Sequence, residues 1–209
     1  MLQQTQAQRV VPHYLRWVAE FPDPPTCAGA GPAAALRAWA GLGYNTRALR
    51  LHRAAVTITE SHGGVVPGEL EALRALPGVG SYTARAVMAF AFGAPVAVVD
   101  TNVARVLGRA VAGRRLTPAE CQRVADGLLP EESWAYNQTL FDIGATICRA
   151  QGPECGRCPL RGCCAWAAAG WPGPDPADRR RHQSRFEGSD RQGRGRLMHA
   201  LRRGPVSRA

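Results

Sequence analysis

A run from Leu76 to Asp100 constrains the fold of this chain more than any other stretch. It begins Leu-Pro-Gly-Val-Gly-Ser-Tyr, continues as an alanine-rich apolar segment and ends in Val-Val-Asp. Pro77, Gly78 and Gly80 predict a tight hairpin between two helical segments, since proline and glycine interrupt helices. Positive φ at Gly78 and Gly80 would turn successive backbone N–H groups outward at a helix start, where the dipole also favours an anion. The predicted ligand is a phosphate, and the alternative is a helix connection that binds nothing.

The charge of the chain favours a polyanionic partner. The 209 residues carry 26 basic and 16 acidic side chains, which gives a formal net charge of +10 at pH 7. Nucleic acid is the first candidate. The alternative is a basic surface that reflects only a biased base composition of the genome. All 26 basic residues are arginine, so the sequence offers no lysine side chain for amine catalysis.

Neither a membrane span nor a signal peptide is predicted. No apolar run reaches the roughly 18 residues that a spanning helix requires, and the first residues do not resemble an export signal. We therefore expect a protein of the cytoplasm without a membrane partner. If nucleic acid is the polyanionic partner, the protein would be associated with the nucleoid, and we expect it to be a monomer.

Apolar periodicity and capping signals predict an all-α protein. Thr117-Pro-Ala-Glu120 has the form of a capping box with proline at the first helical position, and a helix follows to about Leu129. The one strand-like run, residues 96–99, is too short to change the fold class. Further helices are predicted over residues 10–21, 33–40, 46–61, 69–75, 81–92, 102–112, 133–147 and 195–203.

A metal-binding pattern lies in the last third of the chain. Cys148, Cys155, Cys158 and Cys164 have the spacing C-x6-C-x2-C-x5-C. Four thiolates suit either a [4Fe-4S] cluster or a structural zinc ion, although zinc sites more often show two closely spaced pairs and this pattern has one. Cys163, next to Cys164, is an alternative fourth ligand. Without an export signal, metal binding is a better interpretation than disulfides.

The central run resembles a known motif. Residues 76–100 are similar to the helix-hairpin-helix, glycine/proline-rich and aspartate motif of the base-excision DNA glycosylases, whose signature residue is the aspartate. Four further stretches resemble the adenine-specific branch, whose members remove adenine opposite 8-oxoguanine, and they occur in the family's order. They are Met1-Leu-Gln-Gln-Thr-Gln6, Trp39-Ala-Gly-Leu-Gly-Tyr44, Asn137-Gln138 with Asp142-Ile-Gly-Ala145, and the cysteine segment Cys148–Cys164. The resemblance covers about residues 1–170.

This resemblance implies the helix-hairpin-helix DNA glycosylase fold. A helical barrel lobe would take residues 1–95 and lack its first helix, an iron-sulfur cluster lobe would take residues 96–170, and residues 171–209 would form a basic linker or tail. The partner would be double-stranded DNA with a mismatched or oxidised base pair, bound between the lobes. The four cysteines would hold a [4Fe-4S] cluster, with Cys164 rather than Cys163 as the last ligand.

The resemblance also implies a set of DNA contacts. Gln3, Gln4 and Thr5 would reach the base opposite the target, although such residues also suit an ordinary polar helix face. Tyr44 would wedge into the base stack, which suits a protein that must extrude a nucleotide, and a buried core position is its alternative. Phosphates would lie against Gly78, Gly80, Ser81 and Arg161.

Three residues carry the chemistry that the resemblance implies. Hydrolysis of a glycosidic bond passes through an oxocarbenium-like state, which a nearby carboxylate stabilises. Asp100 would be that carboxylate, and as the N-cap of the next helix it would be favoured in its charged form. Tyr82 stands where bifunctional relatives have a Schiff-base lysine, so we expect a monofunctional enzyme. Asn137 would orient the water or the purine.

One catalytic group of the family lies outside this sequence. The general acid, a glutamate just upstream of the glutamine motif, would precede Met1, so we expect a start at an internal methionine or a truncated chain. A further C-terminal domain is likewise expected beyond Ala209. The leading hypothesis is removal of adenine opposite 8-oxoguanine or guanine, impaired without that acid. Thymine removal from T/G mismatches and a non-catalytic DNA-binding remnant are the alternatives.

Overall fold

The described part of the chain is helical. The computed structural model describes residues 1–2, 5–173, 175 and 185–203. These residues form ten α-helices and no β-strand, so the predicted all-α class is confirmed. The helices are α1 (Ala7–Glu20), α2 (Pro24–Ala38), α3 (Thr46–Ser61), α4 (Leu70–Ala75), α5 (Ser81–Ala91), α6 (Thr101–Leu107), α7 (Pro118–Gly127), α8 (Ser133–Asp142), α9 (Ala165–Ala168) and α10 (Asp190–Arg203).

The helices are divided between two compact units. The first unit comprises the described residues of Met1–Pro67, Ala75–Gly78 and Arg181–Ala209, and the second those of Gly68–Arg74 and Val79–Arg180. Each unit has a hydrophobic core of its own.

Aromatic side chains dominate the core of the first unit. The ring of Trp17 lies edge-on to Phe21 and to Trp39, with centroids 4.8 and 5.7 Å apart. Such pairs add a specific geometry to the large apolar area that the rings bury. The second helix begins at Pro24, nine residues before its predicted start, because Asp23 caps it by accepting a hydrogen bond from the Thr26 N–H at 2.7 Å.

Helix α6 is the central element of the second unit. Its residues Val103, Val106 and Leu107 are almost fully buried, and α7 and α8 pack against it. Helices α6 and α8 each continue as one π-helical turn, which we call the first (Gly108–Ala112) and the second (Ile143–Ile147) π turn. The sequence predicts uninterrupted helices at both places. Single π turns within helices often accompany functional sites.

The last helix, α10, is longer than predicted. It begins at Asp190 rather than residue 195 and ends at Arg203. None of the helices in the described part of the chain combines the length and the apolar character needed to cross a membrane.

Candidate active site and metal centre

The predicted hairpin lies between α4 and α5. Gly78 has a φ of +83°, whereas Gly80 is the extended N-cap of α5 with φ −92° and ψ 175°. The prediction of positive φ at Gly80 is therefore wrong, because entry into α5 takes extended backbone there. A Cβ at Gly78 would lie 2.7 Å from the Cβ of Arg50, so sterics as well as conformation require glycine. Ser81 is the exposed first residue of α5.

Asp100 caps α6, and the predicted cap is confirmed. Its Oδ1 accepts hydrogen bonds from the backbone N–H groups of Asn102 and Val103, each at 2.7 Å. Its Oδ2 accepts from the side-chain amide of Asn102 at 3.1 Å. Three donors at a helix N-terminus therefore fix the orientation of this carboxylate.

Tyr82 lies in the first turn of α5, near Asp100. Burial raises the pKa of the Tyr82 phenol, and the negative charge of Asp100 raises that pKa further. The phenol is therefore neutral at physiological pH and remains a hydrogen-bond donor. Its side chain is nevertheless 42% exposed. The second unit thus brings a fixed carboxylate and a neutral phenol together at an accessible surface.

Asn137 of α8 binds the segment that leads to Asp100. The side chain is buried, and its Oδ1 accepts a hydrogen bond from the Val98 N–H at 2.9 Å. Its Nδ2 donates to the carbonyl oxygen of Val96 at 3.0 Å. Both ends of the amide are therefore engaged with the backbone two to four residues before Asp100.

The same segment is bound from α5 and α7. Arg85 and Gln122 both donate to the carbonyl oxygen of Ala97, at 3.3 and 3.2 Å. Asp126 joins these two side chains, accepting from Arg85 at 2.9 Å and from Gln122 at 2.9 Å. Side chains from three helices therefore fix the backbone that carries the catalytic candidate.

Tyr44 follows the tight Gly-Leu-Gly turn in the first unit. It adopts a left-handed backbone with φ +49°, which is uncommon for a residue other than glycine. Its side chain is 53% exposed, so the core position considered as an alternative is excluded. The Arg47 guanidinium lies 5.3 Å from the ring centroids of both Tyr44 and Trp39.

Arg47 also contacts the N-terminal segment. It donates to the Thr5 hydroxyl at 3.3 Å and to the carbonyl oxygen of Met1 at 3.2 Å. The structure therefore brings Thr5 and the tyrosine turn together through one arginine. Gln3 and Gln4 lie outside the described residues.

The four predicted cysteine ligands line one cavity in the second unit. The cavity holds about 430 Å³ of space outside the protein atoms, including its opening to solvent. Burial raises the pKa of Cys158, and the other three cysteines of the set raise it further. Cys163 is exposed and does not line the cavity. Within the described residues, no three His, Cys, Asp or Glu side chains converge on a single ion position. The cysteines that line the cavity are Cys148, Cys155, Cys158 and Cys164.

Arg161 lies at the mouth of this cavity. It begins the short 3₁₀ turn Arg161–Cys163, and its side chain is exposed. Its backbone N–H donates to the carbonyl oxygen of Cys158 at 3.1 Å, so the turn is fastened to a cavity-lining cysteine.

Two arginines near the cavity, Arg105 and Arg109, were not predicted from the sequence as site residues. Arg105 donates to the carbonyl oxygens of Cys148 and Gly144, each at 2.6 Å, and to the side-chain oxygen of Asn102 at 2.9 Å. Arg109, one helical turn later, is 1% exposed. One sequence pattern could have indicated them. The two arginines are four residues apart in an otherwise apolar helix, and this spacing places both charges on one face.

The architecture is similar to that of DNA glycosylases whose structures are solved. A thermostable thymine-DNA glycosylase superposes with a TM-score of 0.76 at 29% identity, with 80% of each chain covered. Endonuclease III, trapped in a covalent intermediate with DNA, superposes with a TM-score of 0.72 at 26% identity and the same coverage. The fold and the hairpin followed by Asp100 thus define the helix-hairpin-helix class of DNA repair proteins.

The family follows from the sequence. Residues 1–131 match the family described as HhH-GPD superfamily base excision DNA repair protein, and the chain belongs to that family. The adenine DNA glycosylase of Mycolicibacterium smegmatis is 46% identical over 215 residues, which covers all of this chain and 72% of the relative. That of Mycobacterium tuberculosis is 49% identical over 217 residues, with 100% and 70% covered.

Proposed function

We propose that this chain is a monofunctional DNA N-glycosylase that hydrolyses the glycosidic bond of adenine mispaired with 8-oxoguanine or guanine. The observation that carries the proposal is the Asp100 carboxylate, which three N–H donors hold in a fixed orientation at the start of α6. The names of relatives 46% and 49% identical over the whole chain support adenine as the base.

The proposed chemistry rests on electrostatic stabilisation. A stacked nucleotide is inaccessible, so the target must first leave the helix. As the bond to the base breaks, positive charge develops on the sugar, and the Asp100 carboxylate stabilises that charge. Because Asp100 is already oriented by three N–H donors, it needs no reorganisation at the moment of reaction. The sequence has no lysine, which excludes strand cleavage through a lysine Schiff base.

We assign the remaining predicted residues to substrate binding and positioning. Asn137 acts as a positioning residue, because its amide fixes the backbone that precedes Asp100. Tyr44 enters the base stack of a duplex bound by a monomer of this protein, a role that its exposure supports. The other proposed DNA contacts are Gln3, Gln4 and Thr5 at the opposite base, and Gly78, Gly80, Ser81 and Arg161 at phosphates.

We propose a [4Fe-4S] cluster as the resident cofactor. Cys148, Cys155, Cys158 and Cys164 would each bind one iron, and a cavity lined by all four thiols fits that donor set. Zinc sites more often show two closely spaced cysteine pairs, whereas this set has one, Cys155 and Cys158. When bound, the cluster cross-links the four cysteines and so fixes the loop that presents Arg161.

Base release under single-turnover conditions tests the proposed function. Duplexes with A opposite 8-oxoguanine, A opposite G, T opposite G and a fully paired control are each incubated with anaerobically purified protein. We expect adenine release from the first two duplexes. Asp100→Asn, which preserves the cap, should lower the rate at least about 10²-fold. Asp23→Asn is the matched control, since Asp23 caps α2 in the same way and should tolerate the change.

The other hypotheses predict different products. Release of thymine from the T/G duplex would replace adenine by thymine as the substrate. The same assay on a chain extended by Ser-Glu-Val before Met1 supplies the upstream glutamate that the resemblance implies. Tight binding without release by both the original and the extended protein would overturn the enzyme proposal in favour of a DNA-binding remnant.

A further inference from the structure

We propose that the buried guanidinium of Arg109 and the carboxylate of Asp175 form a clasp that retains the cluster and adjusts its potential. We call this pair the Arg109–Asp175 clasp, and Arg109 acts in it as a positioning residue for the cysteines. The inference rests on the proposed cofactor. Among the described residues, Arg109 is the one arginine with a fully buried side chain. A guanidinium in such a place requires hydrogen-bond partners and an opposing charge.

The guanidinium binds the loop that follows the first cysteine. Its Nη1 donates to the carbonyl oxygen of Arg149 at 2.8 Å and to the Sγ of Cys148 at 3.4 Å. Its Nη2 donates to the carbonyl oxygen of Ala150 at 3.4 Å. These bonds connect the first π turn, which carries Arg109, to three consecutive loop residues.

The same residue reaches the last cysteine. As a free thiol, the Sγ of Cys164 donates to the backbone carbonyl oxygen of Arg109 at 3.6 Å, which places the two groups in contact, although a thiolate bound to iron has no proton to donate. The Arg109 guanidinium also lies 5.0 Å from the ring centroid of Trp166, two residues beyond Cys164. Arg109 therefore contacts both the first and the last of the proposed ligands, which are 16 positions apart in the sequence.

Asp175 supplies the opposing charge. It accepts a hydrogen bond from Nε of Arg109 at 2.9 Å and a second, shorter one from Nη2. Burial alone would lower the pKa of Arg109, but the hydrogen bonds to Asp175 and Cys148 outweigh it and raise that pKa. With one edge of the guanidinium held by Asp175, the remaining N–H groups are directed at the cysteine loop.

Such a clasp has two effects on a cluster. Partners beyond the ligands orient them, and their loss typically costs about 10- to 100-fold in metal affinity. The potential of a cluster depends on the charges and hydrogen bonds around its sulfurs, so a nearby cation and a nearby anion shift it in opposite directions. If the clasp exists, its loss should change both the retention of the cluster and the reduction potential of the cluster. Loss of a purely structural contact should change retention alone.

The test uses the full chain purified anaerobically with its iron. We measure the rate at which visible absorbance is lost to a chelator, the iron content and the midpoint potential, for Asp175→Asn and for Arg109→Gln. Both variants should lose iron on the order of ten times faster than the wild type. The potential should rise when the anion is removed and fall when the cation is removed. Asp175→Asn serves if Arg109→Gln fails to fold, because the Asp175 side chain is partly exposed.

Glu154→Gln is the matched control. Glu154 lies in the same loop and forms ion pairs with Arg149 and Arg157 at 3.0 and 2.7 Å, but these pairs face solvent. We expect it to leave iron loss unchanged and to move the potential less than Asp175→Asn does, because solvent screens the charge of Glu154. Equal iron loss in the wild type and Asp175→Asn, or potentials that move in the same direction, would overturn the clasp while the cofactor stands. A wild-type protein that purifies without iron would overturn both the clasp and the proposed [4Fe-4S] cofactor.

Discussion

The guanidinium of Arg47 lies 5.3 Å from the ring centroid of Tyr44 and bonds to the Thr5 hydroxyl at 3.3 Å. A cation over an aromatic face is attracted by the ring's electrons, so Arg47 restrains a ring that is otherwise open to solvent. Two segments assigned to DNA contact are therefore coupled through a single side chain. Because the ring is already restrained, it loses less conformational entropy when it enters a base stack, and the entropic cost of binding is smaller.

Tyr44→Ala should weaken binding to a mismatched duplex without unfolding the protein. Stacking of a base on an aromatic ring contributes about 1–3 kcal/mol, so we expect Kd to rise about tenfold or more. Fluorescence anisotropy with labelled duplex measures the change. Tyr14→Ala is the control, because Tyr14 is a tyrosine of α1 with nearly the same exposure, 54% against 53%. If Tyr44→Ala and Tyr14→Ala lose the same affinity for the duplex, insertion of Tyr44 into the base stack is refuted.

Asn137→Ala should destabilise the second unit. The change leaves the N–H of Val98 and the carbonyl of Val96 without their partner, and each unpaired buried group costs about 1–3 kcal/mol. We expect a loss of about 2–6 kcal/mol in the free energy of unfolding by urea. Gln138→Ala, at the adjacent and less buried position, should cost far less. If both changes cost the same, the amide does not fix this segment.

Cys164→Ser should abolish retention of the cluster, whereas Cys163→Ser should leave it intact. The first thiol lines the cavity with the other three cysteines, and the second is exposed and donates to the carbonyl oxygen of Leu160. Iron analysis and the visible spectrum of each purified variant decide the matter. Loss of iron from Cys163→Ser with retention in Cys164→Ser would reverse the ligand assignment.

The capping box of α7 should contribute stability that depends on pH. The Arg114 guanidinium, with Thr117, lowers the pKa of Glu120 from 4.5 to about 2. Because the folded pKa is the lower one, the contribution is complete above pH 4.5 and disappears as the pH falls towards 2. Glu120→Gln keeps the shape of the cap and removes the charge.

Urea unfolding of the wild type and Glu120→Gln at a series of pH values measures this contribution. The difference between the two proteins should be constant above pH 4.5 and shrink below it. Glu71→Gln is the control, since Glu71 forms an exposed pair with Arg74 and belongs to no capping box. A difference that grows on acidification would contradict the assigned direction.

The parts of the fold that depend on neighbouring residues were predictable. The helix from Thr46 to Ser61 has the predicted bounds. The capping box forms with both of its hydrogen bonds, at 3.2 Å to the Thr117 hydroxyl and 2.7 Å to the Glu120 carboxylate. These features are decided within a few residues by capping groups and apolar spacing, which a sequence displays directly.

The contacts around the site depend on residues far apart in the chain. Asp175 pairs with Arg109 across 66 positions, and Asn137 reaches Val96 across 41. Asn137 binds backbone groups, and Arg109 binds three backbone carbonyl oxygens besides its side-chain partners. Every residue carries such backbone groups, and no sequence pattern marks them. The helix predicted over 102–112 likewise ends at Leu107 and continues as a π turn, which no local signal in the sequence marks.

Asp100 caps the N-terminus of α6, and the helix continues into the π turn that carries Arg109, so the number of residues between Asp100 and Arg109 is constrained in evolution. One inserted residue would rotate Arg109 by about 100° about the helix axis and displace it by about 1.5 Å. Natural variation should therefore exchange residues between these two positions without adding or deleting any. Insertions and deletions should accumulate instead in exposed connections such as residues 62–69, where the chain can change length without turning one functional group away from another.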